Sequence, residues 1–212
     1  MTTFTTPNPI TVTADVLSGN ITVIASDRTD TVVTILPADE SKKADVRAAE
    51  HTLVDFADDT LTVTTPKDWR TYTPFGGNPS IEVTIEVPAG SRLNAGTSVG
   101  RVLGLGELGD SELKVSVGDI TVERPLGSVT ATAAKGDIRI GEAARGVLRL
   151  ETSTGELEIG IAAGSAARLE VNAQNGAVHN QMGPVAQDDR ETVRVYARNA
   201  CGNIVIRHAT AA

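Results

Sequence analysis

Apolar and polar residues alternate along most of the chain in short runs. In Ile81–Pro88, aliphatic residues occupy every second position, with Glu and Thr between them. Residues two apart in an extended strand point to the same face, so this pattern predicts short β-strands that each bury one face. The alternation stops between residues 38 and 50, where Ala, Lys and Glu predict a short polar helix with Asp39 as its N-cap. The strand at Ile81–Pro88 is expected to lead into the regular part of the fold.

A five-residue phrase returns along the second half of the chain: glycine, a polar residue, an aliphatic residue, any residue and another aliphatic residue. The steps between its glycines from residue 100 to residue 202 are 18, 18, 19, 21 and 26 residues. A second alternating run precedes most of these glycines, so each period holds two short strands and a turn. The clear copies are Gly118–Val122, Gly136–Ile140, Gly155–Ile159 and Gly202–Ile206, with weaker ones at Gly100 and Gly176 and an early one at Gly19.

Such a unit cannot bury its apolar residues alone, so successive coils must stack. We therefore expect an all-β, single-domain β-solenoid of stacked coils of about 18–21 residues, with an irregular β cap on its N-terminal side. An ordinary β-sandwich with glycines in its turns is the alternative, because its strands also recur every 8 to 12 residues. In-register stacking would align one buried file made of Ile120, Ile138, Leu157, Val178 and Ile204.

The pattern predicts one domain over residues 1–212. Residues 10–88 form the irregular β or cap region, with the helix near 38–50 and a loop rich in aromatic residues at 66–80. Residues 89–206 form the regular coils.

Composition narrows the classes of partner. The net charge of −8 and pI near 4.9 disfavour nucleic acid and anionic membrane surfaces. The N-terminal residues do not resemble a secretory signal and no long apolar run occurs, so we expect no membrane span and a cytoplasmic location. The single cysteine, Cys201, excludes an internal disulfide and is expected to be buried.

Two glycine motifs associated with enzymes occur in the wrong context. Residues 104–109 match a dinucleotide-binding pattern, and residues 96–100 match a hydrolase nucleophile pattern. Both patterns require a strand followed by a helix, whereas alternating runs follow here. We therefore expect a protein that is not an enzyme, with no catalytic residues and no cofactor.

Acidic residues follow three of the repeat glycines: Asp119, Asp137 and Glu156. Stacking would place their carboxylates one coil apart, where a hard cation or glycoside chemistry could use them. A solvated strand face with charges balanced by Arg101 and Arg139 is the alternative. These carboxylates are weak candidates for metal ligands.

Three of the six aromatic residues lie in one loop: Trp69, Tyr72 and Phe75. Aromatic residues are enriched at protein interfaces, so these three are candidates for partner binding. The alternative is a loop folded over the side of the solenoid.

A family resemblance rests on these residues. The strand ending in Val87–Gly90, the following Leu93 and the glycine phrases through Gly155 resemble the bacterial “putative adhesin” family of domains of unknown function. The resemblance spans about residues 10–206 and is most specific between Ile81 and Ile159. It implies a β-solenoid with adhesin-like or bactofilin-like repeats, often tethered to a membrane by an N-terminal segment, and it supplies no catalytic residues.

Two functions from different classes remain open. The first is a non-enzymatic scaffold or interaction protein that binds a protein partner or a second copy of itself. The second is a carbohydrate-binding or carbohydrate-active β-helix that uses the acidic residues and the aromatic loop.

Overall fold

Paired strands wind into stacked rungs in this computed structural model, which describes residues 1–66, 79–183 and 192–209. Each rung supplies one strand to a first sheet and one to a second sheet. In stacking order, rung 1 is β5 (Thr60–Thr64) and β6 (Ile81–Pro88), rung 2 is both halves of β2 (Thr11–Ser26), rung 3 is β7 (Arg92–Val99) and β8 (Val102–Leu108), and rung 4 is β9 (Ser111–Val117) and β10 (Ile120–Pro125). Rung 5 is β11 (Val129–Lys135) and β12 (Ile138–Ala143), rung 6 is β13 (Gly146–Thr154) and β14 (Leu157–Ile161), rung 7 is β17 (Thr192–Cys201) and β18 (Ile204–His208), and rung 8 is β15 (Ala166–Asn175) and β16 (Val178–Asn180).

Neighbouring rungs pair in parallel and in register. Ile138 lies opposite Ile120 on one side and Leu157 on the other, and all three side chains are fully buried. Burying an aliphatic side chain of this size contributes about 1.5–3 kcal/mol, so the files of the stack supply most of the core's stability. The predicted β-solenoid is confirmed.

The repeat glycines form a file of their own at one corner. Gly136 has φ +146°, and a Cβ built on it would lie 1.9 Å from the carbonyl oxygen of Gly118 in the rung below. The corner therefore needs glycine both for its backbone conformation and for the close approach of the rungs. In stacking order the file is Gly19, Gly100, Gly118, Gly136, Gly155, Gly202 and Gly176.

The stacking order differs from the chain order at the far end. Ile204 of rung 7 lies opposite Leu157, and Val178 of rung 8 lies on the outer side of Ile204. Val178 is 42% exposed, so the prediction that it is buried between Leu157 and Ile204 is wrong. The reason lies two residues further along each strand, where Ile206 of rung 7 is apolar and its partner Asn180 of rung 8 is polar. The more apolar coil takes the interior place.

A similar insertion occurs near the beginning of the stack. Ile21 of β2 lies opposite Val83 of β6 and Val102 of β8. The strand Ile81–Pro88 leads along the chain into β7, as expected, but in the stack rung 2 lies between it and rung 3. The early phrase that begins at Gly19 explains this placement, because it gives β2 the same corner as the later rungs.

Antiparallel strands and a helix close the rung 1 end. β3 (Asp30–Pro37) pairs with β6, β1 (Thr2–Thr5) pairs with β3, and β4 (Leu53–Ala57) pairs with β5, all antiparallel. The rings of Phe4 in β1 and Phe56 in β4 lie 5.1 Å apart between their centroids. This end of the core is therefore covered by elements that do not continue the parallel stack.

The helix α1 spans Lys43–His51 and packs against β3. Its N-cap is Lys42, so the prediction that Asp39 caps it is wrong. The Asp39 carboxylate instead accepts hydrogen bonds from the hydroxyl of Ser41 at 2.6 Å and its backbone N–H at 3.0 Å, and these bonds hold the Asp39 pKa below its usual value. Within the described ranges, no helix has the length and hydropathy needed to cross a bilayer.

Candidate interaction surfaces

The residue after each corner glycine occupies one file on the outer side of the second sheet. Asp119 Oδ1 accepts the backbone N–H of Asp137 at 3.1 Å, and Asp137 Oδ1 accepts the backbone N–H of Glu156 at 2.7 Å. An Asn or Asp side chain has the length to reach one rung further and satisfy a backbone donor that the bent corner leaves open. The same bond joins Arg101 N–H to Asn20 and Ala177 N–H to Asn203.

The structure thus brings Asp119, Asp137 and Glu156 into one file and gives the first two a role in holding adjacent rungs together. Arg101 Nε lies 3.8 Å from the second oxygen of Asp119. Across the part of the chain that the structure describes, no group of three or more His, Cys, Asp or Glu side chains is arranged to hold a metal ion. The signal for this role was the recurrence of Asn or Asp after the glycine.

A three-residue ion cluster bridges rungs 5 to 7 on the second sheet. Glu158 Oε2 lies 2.5 Å from Arg139 Nε, and its Oε1 lies 2.6 Å from Arg207 Nη2. Partial burial acts to raise the pKa of the Glu158 carboxyl, but the hydrogen bonds from the two arginines outweigh it, so its pKa lies below the usual value. The hydrogen bond that Arg139 donates to Glu158 raises the pKa of Arg139. Arg139 therefore pairs mainly with Glu158, whereas the sequence suggested that it balances the acidic file.

An arginine-rich area lies on the outer side of the first sheet at rungs 6 and 7. We call it the arginine–tyrosine surface, and it consists of Arg149, Arg194, Tyr196 and Arg198. Arg149 lies opposite Tyr196 in register, and its Cζ is 4.8 Å from the ring centroid. A guanidinium at this distance from an aromatic ring is attracted by the negative face of the ring. The contact fixes the position of Arg149 on the sheet.

The arginine–tyrosine surface is positively charged, although the protein as a whole is acidic. None of its three guanidinium groups forms an ion pair with a carboxylate of the described residues. Within rungs 6 and 7, Glu151 lies opposite Arg198. In rung 8, Arg168 lies opposite Arg194 and Glu170 lies opposite Tyr196, and these two charges cancel. The surface therefore keeps two net positive charges, although the chain as a whole has a net charge of −8. Sequence reasoning missed it because the residues belong to two strands that are distant along the chain.

Two further predictions concern the surface. The candidate partner-binding residues Trp69, Tyr72 and Phe75 lie outside the described residues.

Cys201 is a free, exposed thiol, so the prediction that it is buried is wrong. The residue before each corner glycine points outward, as the exposed Val99 and Val117 also do.

Comparison with known families decides what this architecture is. The family model described as Toastrack DUF4097 matches residues 8–181. The chain belongs to the Toastrack DUF4097 family. This match confirms the resemblance to a family of unknown function with a β-solenoid fold. The Toastrack match contains every rung except rung 7, whose strands begin at Thr192.

Solved structures similar to this Toastrack chain include two bacterial proteins. A “putative cell adhesion protein” from Clostridium sporogenes is 10% identical, with a TM-score of 0.47 over 98% of each chain. A “putative adhesin” from Bacteroides fragilis is 12% identical, with a TM-score of 0.47 over 97% of this chain and 95% of the other. The comparison with curated proteins gave no match.

Proposed function

We propose that this chain is a non-enzymatic interaction module that binds an acidic segment of a partner protein through the arginine–tyrosine surface. The observation that supports the proposal is a group of three arginines beside one tyrosine on a sheet face, with no carboxylate of the described residues paired to any of the three. Arginine and tyrosine are among the residue types enriched at protein interfaces and at their energetic hot spots.

The sheet positions these side chains before a partner arrives. Residues that alternate with them, Leu148, Leu150, Val195 and Ala197, are buried in the core at no more than 2% exposure. An outward side chain between two such anchors has a fixed Cα position and direction. The backbone on this side of the interface therefore needs no further ordering when a partner binds.

The chemistry of guanidinium favours a carboxylate-bearing partner. Its planar set of donors forms two parallel hydrogen bonds with one carboxylate. Arg194 and Arg198 are four residues apart on β17, so their Cα atoms are about 13 Å apart along an extended strand. Acidic residues spaced by four along an extended peptide would meet both arginines. The net negative charge elsewhere on the chain opposes the long phosphate backbone of a nucleic acid.

Fluorescence anisotropy with a labelled extended peptide that carries Glu at every second position tests the proposal. The double variant Arg194→Glu with Arg198→Glu is expected to weaken binding by at least about tenfold. The matched control is Arg92→Glu with Arg124→Glu, which changes the net charge equally at exposed arginines far from this surface. Equal weakening in both double variants would show a general charge effect and would contradict the proposal.

A second measurement separates the proposal from carbohydrate binding. The wild-type protein and both double variants are applied to the same glycan array. Glycan binding that the Arg194→Glu, Arg198→Glu variant retains, together with no binding of the acidic peptide by the wild-type protein, would replace the proposal with the carbohydrate-binding alternative.

A further inference from the structure

The two ends of the stack differ. The rung 1 end is covered by β3, β4 and α1, whereas at the other end β15 pairs with β17 and β16 pairs with β18. No other strand of the described residues pairs with the outer edge of either β15 or β16. Within the described ranges, the outer row of backbone donors and acceptors of rung 8 therefore has no strand partner.

The core also ends incompletely at rung 8. Leu169 and Val171 are half-buried, while their partners Val195 and Ala197 in rung 7 are 1% and 0% exposed. In the second sheet Val178 is 42% exposed, and its partner Ile204 is fully buried. One more layer of strands would cover these side chains.

The edge strand lacks the usual protection against pairing. β15 is ten residues long, and it contains no proline and no lysine. Natural proteins use short edge strands, proline and charged side chains, lysine above all, to prevent strand addition. The two charged residues of β15, Arg168 and Glu170, have opposite signs, so they repel only a strand that places like charges opposite them. A long alternating edge without these features favours addition of another strand.

The side chains of β15 are complementary to a second copy of the same strand. In an antiparallel pair centred on Leu169, Arg168 of each copy lies opposite Glu170 of the other. Both residues are exposed on the outer face, and directly opposed residues in an antiparallel pair share a face. On the inner face the same register places Leu169 opposite Leu169. A two-fold axis through this point satisfies both charges of each copy.

We propose that rung 8 is the interface of a homodimer in which β15 pairs antiparallel with β15 of a second copy, end to end. Pairing continues the first sheet across the two-fold axis and covers Leu169 and Val171. The contact is isologous, so it closes at two copies and does not grow into a filament. It does not depend on the arginine–tyrosine surface, which lies on rungs 6 and 7.

Sedimentation velocity over a concentration series tests this proposal through charge reversal. The wild-type protein is expected at twice the 22.1 kDa of the chain. Arg168→Glu and Glu170→Arg each place like charges opposite one another and are expected to give monomers. The double variant with both changes restores the complementarity and is expected to dimerise again. Glu151→Arg, an equal charge change on rung 6 of the same face, is the matched control and should remain dimeric.

Mixing the Arg168→Glu and Glu170→Arg variants tests the predicted pairing register directly. The two single variants carry only acidic or only basic residues at positions 168 and 170, so each is repelled by itself and attracted by the other. An equimolar mixture is expected to form a one-to-one heterodimer, which also shows that both variants are folded. A wild-type protein that stays at 22.1 kDa up to about 0.1 mM would overturn the proposal. A dimer that all of these variants retain would equally overturn it, because the interface would then lie elsewhere.

Discussion

Replacing Gly136 by alanine tests whether the glycine file sets the spacing of the rungs. Gly136 lies in the middle of the file, with φ +146°. The new Cβ would lie 1.9 Å from the carbonyl oxygen of Gly118 and 2.5 Å from its carbonyl carbon. Both of these atoms are backbone, so no side chain can rotate to make room.

The expected cost has two parts. A residue with a side chain in this backbone region costs about 1–3 kcal/mol. An ordinary Cβ contact is 3.4 Å or longer, so the methyl group and the oxygen must also separate by about 1.5 Å. That movement opposes the bond from Gly136 N–H to Thr154 O and the bond from Gly118 N–H to Lys135 O, both 2.8 Å long. Each such bond contributes about 0.5–1.5 kcal/mol, so with both bonds weakened we expect a total loss of about 4 kcal/mol.

Substitutions at two other glycines separate the cost of the backbone conformation from the cost of the steric contact. Gly164 has φ +91°, but no atom lies within 4 Å of the position that an added methyl group would take. Gly164→Ala therefore carries the backbone cost alone and is expected to lose about 1–2 kcal/mol. Gly183 is exposed, has open space around it and lacks a positive φ. Gly183→Ala is expected to change stability by less than about 1 kcal/mol, with a small gain from the lower entropy of the unfolded chain.

Urea unfolding followed by far-ultraviolet circular dichroism measures all three variants against the wild-type protein. The order of loss should be Gly136→Ala, then Gly164→Ala, then Gly183→Ala. A Gly136→Ala protein whose free energy of unfolding lies within about 1 kcal/mol of that of Gly164→Ala would refute the close-approach explanation, because the steric part would then be absent.

Two further substitutions test the polar contacts between rungs. Glu158→Gln should lower the free energy of unfolding at pH 7 by about 1–2 kcal/mol. Because folding lowers the Glu158 pKa, the stability that its ionised carboxylate contributes is present above the ordinary value of 4.5 and is lost as the pH falls through the lower folded value. Urea unfolding at pH 7 and pH 3 should therefore show a smaller decrease in the free energy of unfolding on acidification for the variant than for the wild-type protein. Asp137→Ala should lower the free energy of unfolding by about 1 kcal/mol, because the Glu156 N–H loses its acceptor. Asp137→Asn keeps an acceptor oxygen and should lower it by less in the same urea unfolding experiment. An Asp137→Asn protein as unstable as Asp137→Ala would contradict the backbone-capping role.

Local requirements made much of the fold predictable. The glycine at each corner, the aliphatic residues two and four positions after it and the alternation before it are all visible within one coil. These requirements repeat in every rung, so Ile120, Ile138 and Leu157 could be assigned to one file from spacing alone. The capping oxygens of Asp119 and Asp137 follow from the same spacing, although their chemical role needed the backbone geometry.

The order of the rungs could not be predicted in this way, because it depends on competition between whole coils for the interior. In chain order, β15 would follow β13 and would place Glu170 opposite Arg149, which favours an ion pair. The insertion of rung 7 places Tyr196 between them, so Arg149 contacts a ring and Glu170 moves to the edge strand. The position of rung 7 between rungs 6 and 8, which buries Ile206 and leaves Asn180 outside, thus produces both the arginine–tyrosine surface and the open edge. The sequence carries one signal for it: the step of 26 residues between the last two repeat glycines, which is long enough for the chain to pass beyond one rung and return beneath it.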